Sequence, residues 1–360
     1  MDNKKVLLGM SGGVDSSVSA YLLKQRGFDV IGATLELFAG SSCCNINTYI
    51  DAKNVCKQIE IPHITLNHQK EFKKYVIDDF IECYSNCKTP NPCIECNKYL
   101  KFGIMWKKAI ELDCNYISTG HYAKTIYSKE FKRWVITKSN ALKKDQSYVL
   151  WNTPKELIEH IIFPLSDFKS KDEIRKIASE ANLKVAQKKD SEDICFVPDG
   201  NYKKFLEKNS NLKPKSGNII NTSGEILGTH EGLYNYTIGQ RKGLGISNKT
   251  PLFVLGFNKI KNEVIVGDEK DLYKSEIIVN NINLIAVDNI NDYMNVEVKT
   301  RYSSKCAKAK IIKINEDEIK IEFLEPQRAL TPGQSAVFYK DNIVIRWRKN
   351  YLTCKRISLC

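Results

Sequence analysis

One six-residue segment constrains this chain more than any other. Ser11-Gly12-Gly13-Val14-Asp15-Ser16 follows a continuous apolar run at residues 6–10 and precedes a helical stripe at residues 17–26. The apolar run reads as a strand buried on both faces. The stripe carries Val18, Leu22 and Leu23 and stops at Gly27, as a helix with a glycine stop should. Two glycines in a strand-to-helix turn let successive N–H groups converge on an anion, and the helix dipole adds to the attraction. Ser11 and Ser16 can donate hydroxyl hydrogen bonds, whereas Asp15 would repel a phosphate unless Mg²⁺ bridged the two. The G-x-x-x-x-G-K-[ST] loop is excluded because no lysine closes the turn, and the G-x-G-x-x-G pattern is absent. The alternative is a plain turn capped by Asp and Ser. The full hexapeptide directly after an apolar strand argues against it.

The alternation continues. Residues 29–37, 63–66 and 115–119 read as strands; residues 51–59, 72–83 and 99–112 read as helices. Strands separated by helices give βαβ units and a parallel sheet. Near residue 200 the pattern changes. Asn221-Thr222-Ser223-Gly224 is a hairpin turn between apolar flanks,. From about Pro251 onward come short β-rich segments, at 252–257, 263–266, 276–279, 296–300, 309–314, 318–323 and 336–339. These predict an antiparallel barrel or sandwich.

Composition adds two constraints. A formal charge of +13 suits a polyanionic partner, although abundant Lys with scarce Arg also fits a general compositional bias. Twelve cysteines are many for such a chain. The N-terminus has no apolar signal core, and no stretch approaches the ~18 apolar residues of a membrane span. A cytoplasmic protein without a membrane role is expected, with thiols kept reduced. Metal binding, sulfur chemistry or inert burial then remain for the cysteines.

Two segments narrow the choice. In Thr89-Pro90-Asn91-Pro92-Cys93-Ile94-Glu95-Cys96 the prolines impose extended geometry before a helix,, and a helix N-terminus lowers a thiol pKa. Asp190-Ser191-Glu192-Asp193-Ile194-Cys195 places another thiol about a hundred residues later. Sulfur transfer needs two thiols: one to carry a persulfide, the other to attack it and release sulfide or to resolve it as a disulfide.

SGGVDS resembles the pyrophosphate (PP) loop of the ATP pyrophosphatases, and both cysteine segments resemble those of the tRNA-specific 2-thiouridylases. So do Thr119-Gly120-His121-Tyr122, Lys144-Asp145-Gln146-Ser147-Tyr148, residues 239–245, Lys299-Thr300-Arg301-Tyr302 and Thr331-Pro332-Gly333-Gln334-Ser335-Ala336. The resemblance implies a Rossmann-like α/β PP-loop domain over residues 1–198. A small linking domain over 199–270 and a C-terminal antiparallel β-barrel over 271–360 would follow. It implies Cys96 as nucleophile, Cys195 as persulfide carrier, and Asp15 as Mg²⁺ ligand or phosphate-side acid. It puts ATP on Gly9, Met10, Ser11, Gly12, Gly13, Val14, Asp15, Ser16, Leu35 and Gly120. It puts tRNA on Asn91, Pro92, Cys93, Lys144, Asp145, Gln146, Arg301 and Tyr302. The implied reaction adenylates O2 of the wobble uridine in tRNAs for Lys, Glu and Gln, then places sulfur on C2. A cysteine desulfurase or sulfur-relay protein would supply the sulfur. The rivals are another PP-loop enzyme acting on tRNA, or a silent RNA- or metal-binding relative.

Two departures stand out. Cys93 occupies a position where many members carry Asp, so Cys93 and Cys96 with Cys43 or Cys44 could ligate zinc or an iron–sulfur cluster. The C-terminus, Ile343-Val344-Ile345-Arg346-Trp347-Arg348-Lys349 and beyond, replaces the glycine-rich strand usual in the family, leaving the pairing of the last strand open.

Overall fold

The computed structural model describes residues 4–38, 46–188, 194–280, 282–287 and 293–349. Cys43, Cys44 and the tail beyond Lys349 lie outside them, as do residues 189–193 just before Cys195.

Five parallel strands form the first sheet. Their spatial order is His63–Asn67, Asp29–Glu36, Lys5–Gly9, Tyr116–Ser118, Ile161–Ile162. Both faces are covered, which explains the unbroken apolar run. Leu7 packs with Leu100, Phe102 and Met105, while Val6 and Leu8 pack with Val18, Ala20 and Leu23 of the helix Val14–Gln25. The chain order of the strands is 3-2-1-4-5, so direction reverses between Lys5–Gly9 and Tyr116–Ser118. Open α/β sheets take ligands at that crevice, beyond the carboxyl ends of the strands. The hexapeptide and Thr119-Gly120-His121 are the two segments that leave those ends.

The helix expected over 99–112 begins earlier. Helical backbone runs from Pro92 to Glu111, and its middle, Cys96–Ile104, is a π-helical stretch. Pro92 at the first position is what starts it, since a missing N–H costs nothing there. A second π-helical stretch, Lys73–Ile77, interrupts the helical run from Gln69 to Ser85.

A four-stranded sheet follows, in the order Phe253–Asn258, Glu263–Gly267, Gly217–Ile220, Ile226–His230. The C-terminal β-structure is an antiparallel sheet built on Tyr273–Asn280, Glu318–Arg328, Ala307–Lys313, Tyr293–Lys299 and Ser335–Lys340. Its last strand, Ile343–Lys349, pairs with Ser335–Lys340, which settles the pairing the sequence left open. That strand also bridges, at Ile343–Thr137, to a hairpin of the first domain, Ala123–Ser128 and Arg133–Lys138. The sequence reading did not foresee this hairpin. It ties the first and last thirds of the chain into one sheet.

Further bonds fix the domains around the crevice. Tyr148 Oη donates to Ser335 O at 3.0 Å, and the Ser147 and Tyr339 hydroxyls are 3.0 Å apart. Gln334 Nε2 donates to Thr89 O and Pro90 O at 3.0 and 3.1 Å, and Thr89 N–H donates to Pro332 O. The loop at Gln334 therefore holds the proline segment that carries Cys93 and Cys96.

Candidate active site

The glycine loop is rigid in detail. Gly12 has φ +65°, and a Cβ there would fall 2.1 Å from Thr48 O, so only glycine fits. Gly13 precedes the helix, and its carbonyl accepts from the Ser16 and Ser17 hydroxyls at 3.1 and 2.9 Å. The Ser16 hydroxyl also accepts from Ser11 N–H at 3.2 Å. Gly120 closes against the loop from the neighbouring strand end. A Cβ there would meet the Asp15 carbonyl carbon and Ser16 N, each at 2.9 Å.

Two lysines that the hexapeptide itself lacks arrive from far along the chain. Lys171 Nζ lies 2.6 Å from Asp15 Oδ2, and Tyr122 Oη donates to Asp15 Oδ1 at 2.7 Å. Lys188 Nζ donates to Gly12 O at 2.9 Å and pairs with Asp51 at 2.7 Å. Both oxygens of Asp15, the expected Mg²⁺ ligand or phosphate-side acid, are thus engaged by Tyr122 and Lys171.

Beyond the loop opens a cavity of about 300 Å³. Gly9, Met10, Ser11, Asp15, Ser16, Leu35 and Gly120 line it, and so do Pro92, Cys93, Cys96, Gln146 and Cys195. Gly12, Gly13 and Val14 belong to the loop but not to the lining. Cys96 sits almost buried where the helix turns π-helical. Cys195 is placed by Phe196, whose buried ring packs edge-on against Phe72 and Phe80, centroids 5.7 and 5.2 Å apart. Cys93 opens onto the cavity, and the protein around it raises its thiol pKa, partly opposed by Lys101. His121 is 8% exposed and shares a 2.7 Å hydrogen bond with Thr119 Oγ1. Burial, then Lys101, holds its imidazole well below the usual range, so it is neutral at pH 7.

The residues expected to touch RNA divide into two groups. Pro92, Cys93 and Gln146 line the cavity, and Gln146 is locked by paired bonds with the Tyr122 backbone at 2.8 and 2.9 Å. Lys144 and Tyr302 are exposed, and Asn91 is half-buried at the start of the helix. Asp145 and Arg301 point inward instead. Asp145 is 7% exposed and accepts from the Ser147 hydroxyl at 2.7 Å and Ser139 N–H at 3.0 Å; burial raises its pKa. The Arg301 guanidinium donates to Ile238 O and Ala329 O at 3.1 and 2.7 Å and to Thr331 Oγ1. It clamps the middle domain to the C-terminal sheet. Lys299 lies over the Tyr148 and Tyr302 rings at 5.8 and 5.4 Å.

For metal, no three His, Cys, Asp or Glu side chains gather among the described residues. Cys93 and Cys96 therefore lack a visible third ligand there, and Cys44 lies outside the described residues.

A parallel-sheet domain with a PP-loop at its switch point, followed by two β domains, defines a HUP-domain protein of the PP-loop class. The family model described as the tRNA methyl transferase HUP domain matches residues 4–199. Those for a tRNA methyl transferase PRC-barrel domain and an aminomethyltransferase beta-barrel domain match 203–268 and 274–345. The tRNA-specific 2-thiouridylase MnmA of Clostridioides difficile (strain 630) is 46% identical over 350 residues, covering 95% of this chain and 97% of that protein. The same-named protein of Clostridium acetobutylicum is 45% identical over 351 residues, covering 95% and 98%. The chain belongs to the tRNA-specific 2-thiouridylase family. Among solved structures, the U34-tRNA thiolase NcsA from Methanococcus maripaludis with its [4Fe-4S] cluster aligns with 59% of this chain and 69% of its own, at 21% identity and a TM-score of 0.37.

Proposed function

We propose that this chain uses ATP to convert the wobble uridine of tRNA to 2-thiouridine, with Cys96 and Cys195 as the sulfur-handling pair. One observation carries the reading: the PP-loop, Gly120 and both cysteines line a single cavity. Adenylation and sulfur delivery can then act on one base without its leaving the site.

ATP enters as its magnesium complex. Its phosphates meet the Ser11–Ser16 loop and the helix N-terminus behind it. Mg²⁺ on a nucleotide needs only one or two carboxylates, because phosphate and water supply its other oxygens; among the described lining residues Asp15 is the carboxylate that would hold it, in exchange for Lys171, and the metal would offset charge on the leaving pyrophosphate. The uridine leaves its stack to reach the cavity. Its O2 attacks the α-phosphorus, a C2–O–AMP bond forms, and pyrophosphate leaves. A cysteine desulfurase or relay protein loads Cys195 as a persulfide. The Cys96 thiolate attacks the inner sulfur of that persulfide, so a Cys96–Cys195 disulfide forms and hydrosulfide is released. Hydrosulfide attacks C2, AMP departs with the C–O bonding pair, and an external thiol reduces the disulfide. The reaction belongs to the reducing cytoplasm, and the tRNAs for Lys, Glu and Gln are its substrates. The described residues do not fit a cluster with three protein ligands, and no step here runs through one.

The +13 charge supports a polyanion footprint, with Lys144 and Tyr302 exposed for contact. The test is substitution of the pair. Cys96→Ser and Cys195→Ser keep tRNA affinity and lose thiolation by a persulfide donor. Full donor-supported activity in Cys195→Ser refutes the carrier role.

A further inference from the structure

The cavity holds one charged side chain that the proposed steps leave unused. Half-buried Lys101 lines it together with Cys93, Cys96 and His121. Its ammonium has no ion-pair or hydrogen-bond partner among the described residues.

The backbone explains how it gets there. Lys101 comes five residues after Cys96. At 3.6 residues per turn, five residues leave two side chains roughly 140° apart. Cys96–Ile104 is π-helical instead, and its i→i+5 bonding brings residues five apart into near register. The π-helical stretch therefore turns an ammonium onto the wall that carries the thiol. An α-helix of the same sequence would aim it elsewhere.

Charge accounting gives the ammonium its ligand class. Among the described residues Asp15 is the other ionic group in the lining, and Lys171 already pairs with it at 2.6 Å. Buried His121 is neutral, and Lys101 pushes it further that way. Among the described residues, Cys93 and Cys195 line the cavity with Cys96, Tyr302 lies near Cys93, and Glu95 is buried beside Cys96 in the chain. The cavity is thus left receptive to an anion on the cysteine side. The phosphate side has its own donors in the glycine loop and in Ser11 and Ser16.

We propose that Lys101 is an anion-binding residue for sulfur: it receives the hydrosulfide or perthiolate between Cys195 and the base and holds it beside Cys96. The inference rests on the thiolation reading for its ligand, but its test needs neither tRNA nor turnover. The reduced full-length chain is alkylated at fixed pH with iodoacetate, an anion, and separately with iodoacetamide, which is neutral. The rate at Cys96 is read by peptide mass spectrometry. Lys101→Met lowers the iodoacetate-to-iodoacetamide rate ratio at Cys96 about tenfold, the scale of one nearby charge in a partly buried site. Lys101→Arg restores most of it. ATP affinity, measured by calorimetric titration, stays unchanged in both variants. A ratio within twofold of wild type in Lys101→Met overturns the proposal. So does a loss of ATP affinity with the ratio intact, which assigns the lysine to phosphate. If Lys101→Met does not fold, Lys101→Gln makes the same comparison.

Discussion

Gly120→Ala tests whether the strand end beside the PP-loop is packed as tightly as the structure has it. A Cβ at this position lies 2.9 Å from both the Asp15 carbonyl carbon and Ser16 N, and 3.2 Å from Asp15 Cβ. Ordinary carbon contacts begin near ~3.5 Å, so the loop backbone must retreat by roughly 0.6 Å. Backbone cannot rotate away as a flexible side chain can, and overpacking of this kind costs about 1–3 kcal/mol. Nucleotide binding has to restore the original loop, so the cost is expressed in the ATP dissociation constant, which rises about 5- to 140-fold. Gly27→Ala is the control. Gly27 has φ +78° with nothing within 4 Å of its would-be Cβ. It loses about 1–2 kcal/mol of stability from the left-handed backbone alone and binds ATP normally. Calorimetric titration with ATP and urea unfolding read both quantities. Gly120→Ala that binds ATP within twofold of wild type refutes the reasoning.

The engaged lysine near the loop makes a second prediction. Lys171→Met leaves Asp15 facing the phosphates without its 2.6 Å partner, so affinity for ATP titrated without Mg²⁺, where no metal can take the lysine's place on Asp15, falls about tenfold or more while adenosine affinity, measured in the same titration, holds. A third concerns pH. His230 Nδ1 accepts from Gly232 N–H at 3.0 Å, its Nε2 lies 3.0 Å from Asn262 O, and burial lowers its pKa. The unfolded chain therefore takes up the proton first, so stability is full above about pH 6.5 and declines as pH falls below it. Urea unfolding at pH 7.5 and 5.5 shows a smaller decline in His230→Gln than in wild type.

The parallel sheet was legible because both of its faces are covered, which turned its first strand into a continuous apolar run ahead of a glycine turn. Two groups of residues that line the cavity stood in legible motifs, one around Ser11, Asp15 and Ser16 and one at Cys96 and Cys195. The hairpin Ala123–Ser128 and Arg133–Lys138 was not, because its outer partner is the strand Ile343–Lys349, some two hundred residues later. Lys171 and Lys188 carried no local signal either: they meet Asp15 and Gly12 across 156 and 176 residues. The motifs around Asp145 and Arg301 imply RNA contact, yet Asp145 accepts from Ser147 and Ser139, and one terminal nitrogen of the Arg301 guanidinium donates to Ile238 and Ala329. A motif marks that a residue matters without telling whether it touches the ligand or holds the surface that does.

The most direct test of the central claim is nucleoside analysis of unmodified tRNA incubated with this protein, MgATP and a persulfide donor. The expected product is 2-thiouridine at the wobble position, with one AMP and one pyrophosphate per base, and none when Cys96 is replaced by Ser. ATP cleavage to AMP and pyrophosphate with no 2-thiouridine in the digest, or 2-thiouridine formed equally well by Cys96→Ser, contradicts that claim.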